Sequence, residues 1–192
     1  MKNSLIVLAT FLSLGYTSIA QEEENLFKKH ELKIDAVELI AVANAEFTYE
    51  YLFSKYSGAG VAITFDLEGQ DDFDDMVRYA ITPFYRQYFF NRQEKLAQGL
   101  FAEVHLNIGG FKDTSYNSSV DDYDVYTASA LGAGFGIGYK WASENGFVIE
   151  ALVGVGRNLS FFSEPSRPNE DSYYYTDFDF YFRGGIQIGY RF

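Results

Sequence analysis

The side chains best able to do chemistry in this sequence are charged groups set at every second position within apolar stretches. Lys33, Asp35, Glu50, Asp66, Glu68, Arg86, Glu103, His105, Lys140, Glu150, Asp179, Arg183 and Arg191 all follow this pattern. A period of two is the spacing of a strand, whose successive side chains point to opposite faces. Charges on one face with apolar groups on the other imply an enclosed polar interior. The chemistry expected of such an interior is mutual neutralisation, because buried charges must be paired. Arg86 and Arg183 are expected to neutralise Glu50, Glu103, Glu150 or Asp179. The competing chemistry is a narrow gated pore, or a path for protons or ions. One stretch, Glu103-x-His105-x-Asn107, puts an acid, an imidazole and an amide on one strand face. It lacks a serine beside the histidine, so the nucleophile of a triad is missing and no catalytic residue is assigned.

Other chemistries find little support. The chain has no cysteine, which removes disulfides and thiolate catalysis. No glycine-rich phosphate loop follows a strand, and Gly132 to Gly138 repeats on a period of two, as interior packing does. The acidic runs Asp71 to Asp75 and Asp121 to Asp124 carry oxygens that suit hard cations, but a charge run fixes no coordination geometry. They read as solvated surface, and the expected metal and cofactor are none. The net charge of −12, or −13 without Lys2, argues against nucleic acid as a partner.

The elements that must position these charges are strands. The stretch from Asp177 to Phe192 places Phe178, Phe180, Phe182, Ile186, Ile188, Tyr190 and Phe192 on one face. Asp177, Asp179, Arg183 and Arg191 lie on the other. A long apolar face with aromatics at both ends is what lipid on one side and a polar lumen on the other require. Residues 1–20 read as a signal peptide: Lys2, an apolar core from Leu5 to Leu14, and small residues at Ser18 and Ala20. Residues 21–29 read as a polar periplasmic leader, and residues 30–192 as the barrel. No stretch approaches the ~20 apolar residues of a spanning helix, so membrane insertion requires a closed barrel.

Eight strands follow from the alternation. The first starts near His30, with a parity slip near Ala36 that suggests a β-bulge. The second places Glu46, Thr48 and Glu50 inward after a tight turn at Val42 to Ala45. Pro83 in the fourth suggests a bulge or gap in its ladder. Long connections are expected after strands three, five and seven, the middle one being a polar loop from Lys112 to Asp124. Short ones are expected after two, four and six, including Asn145-Gly146. Inner-face glycines on the sixth and seventh strands leave space, or make room for Arg86 and Arg183. The fold class is therefore all-β, an eight-stranded antiparallel up-and-down transmembrane barrel. A soluble lipocalin-like barrel would need polar outer faces, which strands six and eight lack.

This architecture resembles the small OmpA/OmpX-type outer-membrane barrels. Tyr49-Glu50-Tyr51 and the stretch from Pro83 to Phe89 also resemble a family of small barrels known only as a domain of unknown function. The resemblance implies the outer membrane of a Gram-negative bacterium, and reading of Tyr190 and Phe192 by the barrel assembly machinery. Partners expected are outer-membrane lipid, that machinery and an extracellular ligand at the loops, with the chain a monomer. The expected role is non-enzymatic, in envelope structure or surface adhesion and recognition. The alternative is a small or gated pore, and a lipid-modifying enzyme is the least favoured reading.

Overall fold

A computed structural model describes residues 28–41, 44–67, 77–89, 96–117, 122–163 and 180–192. The strands are β1 (His30–Asp35), β2 (Asn44–Leu52), β3 (Ser57–Asp66), β4 (Val77–Phe89), β5 (Gly99–Asn117), β6 (Asp122–Ala142), β7 (Phe147–Ser163) and β8 (Phe180–Arg191). Each pairs antiparallel with the next, and β8 pairs back onto β1, closing the barrel. The closing seam runs from Glu31↔Arg191 to Asp35↔Gln187. It is extended by paired backbone bonds between His30 and Phe192, of 3.1 and 2.8 Å.

The alternation in the sequence becomes an inside and an outside. Ile81, Val104, Leu106, Ile108, Phe135, Ile137, Val153, Ile186 and Ile188 face out and are exposed. Charged and polar groups at the intervening positions are buried. The exposed aromatics Phe53, Phe89, Tyr139, Trp141, Phe147, Tyr190 and Phe192 ring the end with short turns. Phe180 marks the opposite rim. Among these turns, Asn145-Gly146 takes a positive φ of 101° at the glycine, as a tight hairpin requires.

Three local expectations are corrected. The parity slip near Ala36 is not a bulge: β1 stops at Asp35, and residues Ala36–Ala41 form a short helix, α1. Asp35 caps it, its Oδ1 accepting from the backbone N–H groups of Val37 (2.8 Å) and Glu38 (2.9 Å). The spacing Asp35-x-x-Glu38 is that of a capping box, and it was the signal to read. The polar loop from Lys112 to Asp124 is instead ladder up to Asn117↔Asp122. Its Tyr116, Tyr123, Val125 and Tyr126 are strand formers, and a cross-strand partner was within reach. The inner glycines accommodate groups other than Arg86 and Arg183. A Cβ on Gly134 would meet His105, one on Gly136 Leu152, and one on Gly156 the ring of Tyr181. Pro83 fits its expectation of a gap: β4 pairs with β5 at Ile81 and again at Phe84, in one register, with the ladder interrupted between.

Candidate functional site

The lumen is filled by ion pairs, and strand register sets which groups meet. Arg86 lies directly across from Glu103, and Lys140 from Glu150. Glu31 lies across from both Glu50 and Arg191. Inside a barrel of eight strands, where side chains alone fill the interior, each of these also reaches groups from the far wall.

Glu50 is the hub. Its Oε2 accepts from Lys33 Nζ (2.8 Å), Arg86 Nη1 (2.8 Å) and Lys140 Nζ (2.7 Å), and its Oε1 from the Tyr88 hydroxyl (2.6 Å). Glu150 takes Lys33 at 2.7 Å and Arg86 at 2.9 Å. Glu103 takes Arg86 at 2.8 Å and Arg183 at 3.1 Å. Glu31 takes Lys140 at 2.7 Å and Arg191 at 2.6 Å. Arg183 also holds Glu46 at 2.6 Å. The planar guanidinium of Arg86 lies over the rings of Phe84 and Phe101, at 4.3 and 4.6 Å. That placement suits a weakly hydrated cation.

Among the described residues the buried charges come within one of balance. Lys33, Arg86, Lys140, Arg183 and Arg191 are buried cations; Glu31, Glu46, Glu50, Glu103 and Glu150 are buried carboxylates. Five meet five, and Asp35 is the further buried acid that caps α1. Such an arrangement tolerates desolvation because most charges have several charge-assisted bonds. Oxygens of Glu31, Glu50 and Glu150 converge within 4.8 Å, the spacing of a metal site. The ammonium groups of Lys33 and Lys140 stand among them and supply the positive charge.

Below the ion pairs, toward the short-turn end, Leu52, Tyr88, Ala97, Phe101 and Leu152 form an apolar floor. Ala97 is brought in by the connection between β4 and β5, at a φ of 40°. Arg191 holds this connection by donating to the carbonyls of Leu96 (2.7 Å) and Ala97 (3.2 Å). Above the ion pairs, His105 lies 3.1 Å from Glu103 and packs on the ring of Tyr181, centroids 5.8 Å apart.

Of the expected network, Lys33, Glu50, Arg86, Glu103, His105, Lys140, Glu150, Arg183 and Arg191 are brought together. Asp179, Glu68 and the Asp66 side chain lie outside the described residues, as do residues 1–27 and the acidic run Asp71 to Asp75. Glu31 was absent from the expected set, and Glu46 was placed inward but given no part in the charge network. Glu31 shares the parity of Lys33, which was the available signal; the pairing of Glu46 with Arg183 needed the barrel to close.

The barrel can be set beside known proteins. One solved structure it matches is the N-terminal β-barrel domain of Pseudomonas aeruginosa OprF, at 13% identity and a TM-score of 0.44. The match covers 85% of this chain and 95% of that one. No curated protein matches the chain. A family model described as a protein of unknown function, DUF3575, matches residues 6–174. The chain belongs to the DUF3575 family.

Proposed function

We propose that this protein is a small outer-membrane barrel of a Gram-negative bacterium, non-enzymatic and closed to solutes, that acts in envelope structure or in recognition at its long-loop end. The observation that carries the closed lumen is the five-by-five set of ion pairs spanning it. The exposed apolar belt between aromatic rims supports the membrane location, since an outer band of this kind meets lipid. Recognition is supported by β5 and β6, of 19 and 21 residues, about twice the ~9–11 a bilayer crossing needs. Among the described residues, their pairing continues past the last β4 partner, Phe111. Residues 1–20 are removed on export in this reading, and the mature chain works as a monomer. Outer-membrane lipid, the assembly machinery and an extracellular ligand at the loops are its partners.

Planar-bilayer recording tests the closed lumen. The purified wild type should be silent. Reproducible open states in the wild type, altered in Arg86→Ala, would replace this reading with a gated pore.

Assembly is proposed to use Tyr190 and Phe192. Phe192 stacks on His30 at 5.8 Å while its backbone bonds to that residue. The variant Phe192→Ala keeps the backbone pairing and removes the ring. Its level in the outer membrane should fall several-fold, while protein refolded in detergent keeps wild-type stability within ~0.5 kcal/mol, the usual range for an exposed site. Unchanged levels in cells would remove the assembly role.

A further inference from the structure

The wall of this barrel is not strand all the way round. The pairing of β8 with β1 ends at Gln187, yet β8 continues to Phe180, with β7 as its one ladder partner among the described residues. The pairing of β2 with β1 ends at Phe47, yet β2 begins at Asn44, held only by β3. Over the half of the wall nearest the long loops, β1 is replaced by α1, a helix of six residues. The seam between β8 and β2 is thus closed there by side-chain packing in place of backbone hydrogen bonds. A packed seam opens at lower cost than a paired one, because no row of ladder bonds is left without partners.

The two sides of this seam differ in chemistry. Outward, α1 exposes Val37, Leu39 and Ile40, the last at 85%. Inward, the seam is lined by polar groups gathered around Glu46. Arg183 donates to it at 2.6 Å and Gln187 at 2.6 Å. Several of these groups have bonding capacity left over. Among the described residues, Asn44 Oδ1, Gln187 Oε1 and Glu38 Oε2 are acceptors without a hydrogen-bond partner, and Arg183 Nη2 is a donor without one. Asn44, Gln187 and Arg183 are each more than nine-tenths buried. Buried polar atoms in this state are costly, so those at this seam have capacity for a further bonded group. The unmatched set has a definite complement: an ammonium to donate to the three oxygens, and a neighbouring anion to accept from Arg183.

We propose that the seam between β8 and β2, plugged by α1, is a lateral site for a membrane amphiphile with an amine-bearing zwitterionic phosphate head, an aminophospholipid or its single-chain form. The acyl chain lies along Val37, Leu39 and Ile40 in the bilayer. The phosphate meets Arg183, and the ammonium meets Glu38, Asn44 and Gln187. Gly185 leaves the room that this arrangement needs. The Asp35 carboxylate, which caps α1, lies against its Cα so closely that any Cβ there would collide with it. Only glycine lets α1 seat in the wall.

This rests on the membrane placement proposed above, so both are checked on one sample. Purified full-length protein, shown folded by heat-modifiable mobility, is first tested for flotation with phospholipid vesicles. It is then incubated in detergent with lysophosphatidylethanolamine, lysophosphatidylcholine and lysophosphatidic acid of equal chain length. Retained lipid is counted by native mass spectrometry. The wild type should retain the ethanolamine lipid about tenfold better than the choline lipid, whose head cannot donate a hydrogen bond. Glu38→Gln should lose most of that preference while staying folded. Gly185→Ala, which unseats the cap of α1, should weaken retention of all three. Equal retention of the three heads, no retention, or a preference unchanged in Glu38→Gln overturns the site while a floating barrel leaves the placement standing. Failure to float overturns the placement itself.

Discussion

Replacing Arg86 by methionine should lower the free energy of unfolding by about 3–5 kcal/mol, the range for removing one partner of a buried ion pair. The side chain is fully buried and ties Glu50, Glu103 and Glu150 together. Methionine keeps most of the apolar packing on Phe84 and Phe101 but none of the charge. Glu103 then loses its directly opposed partner and keeps Arg183 and the imidazole of His105, each at 3.1 Å. Adding Glu103→Gln to the methionine variant should recover part of the loss, because it removes one of the uncompensated charges. Urea unfolding in detergent, followed through Trp141, measures both. A loss under ~1 kcal/mol for the single variant would mean that the lumen is wet enough to solvate its carboxylates, and the closed-lumen proposal would fall with it.

Replacing Ile188 by arginine should destabilise the barrel in bilayers by about 2–4 kcal/mol, as a cation at the midplane of a lipid-facing strand does. Ile188 lies between Ile34 on β1 and Ile149 on β7, and all three point outward in one apolar row. An arginine there can neither reach a headgroup easily nor find a counter-ion in the row. The same change at Tyr190, in the aromatic rim itself, should cost less, since a long side chain reaches the interface from there. Equilibrium unfolding in phospholipid vesicles gives both values. A change within ~0.5 kcal/mol at Ile188, the range of ordinary solvent-exposed sites, would identify this face as wet and the barrel as soluble.

The two experiments probe the two faces of the same strands, and they depend on different physics. The inner face is stabilised by specific partners, so single substitutions there are costly whatever surrounds the protein. The outer face is stabilised only by its match to the surrounding medium, so the sign and size of an effect there report where the protein resides.

Much of this was legible in the chain because a strand has a period of two. Alternation alone assigns Lys33, Glu50, Arg86, Glu103, Lys140, Glu150, Arg183 and Arg191 to one face and Ile186, Ile188 and Phe182 to the other. It also yields eight strands, the hairpin at Asn145-Gly146 and the inference that the charges must neutralise one another. The helix α1 escaped because its capping signal, Asp35 with Glu38, sat inside what looked like a continuing strand. The extension of the β5–β6 ladder past Lys112 escaped because polar residues with a partner strand beside them pair as readily as apolar ones, and the partner is not visible locally.

What the sequence by itself determined is therefore which side chains face inward, since parity is a local property of the backbone. Only the closed barrel decided who meets whom. Arg183 and Glu46 stand 137 residues apart, and Arg191 and Glu31 160 apart. Such pairs meet because β8 returns to β1, and because strand tilt and register bring far walls to one height. The same is true of the seam at α1. A strand that ends six residues in is a local event, but the gap it leaves exists only because β8 and β2, its neighbours on either side, both run on past it.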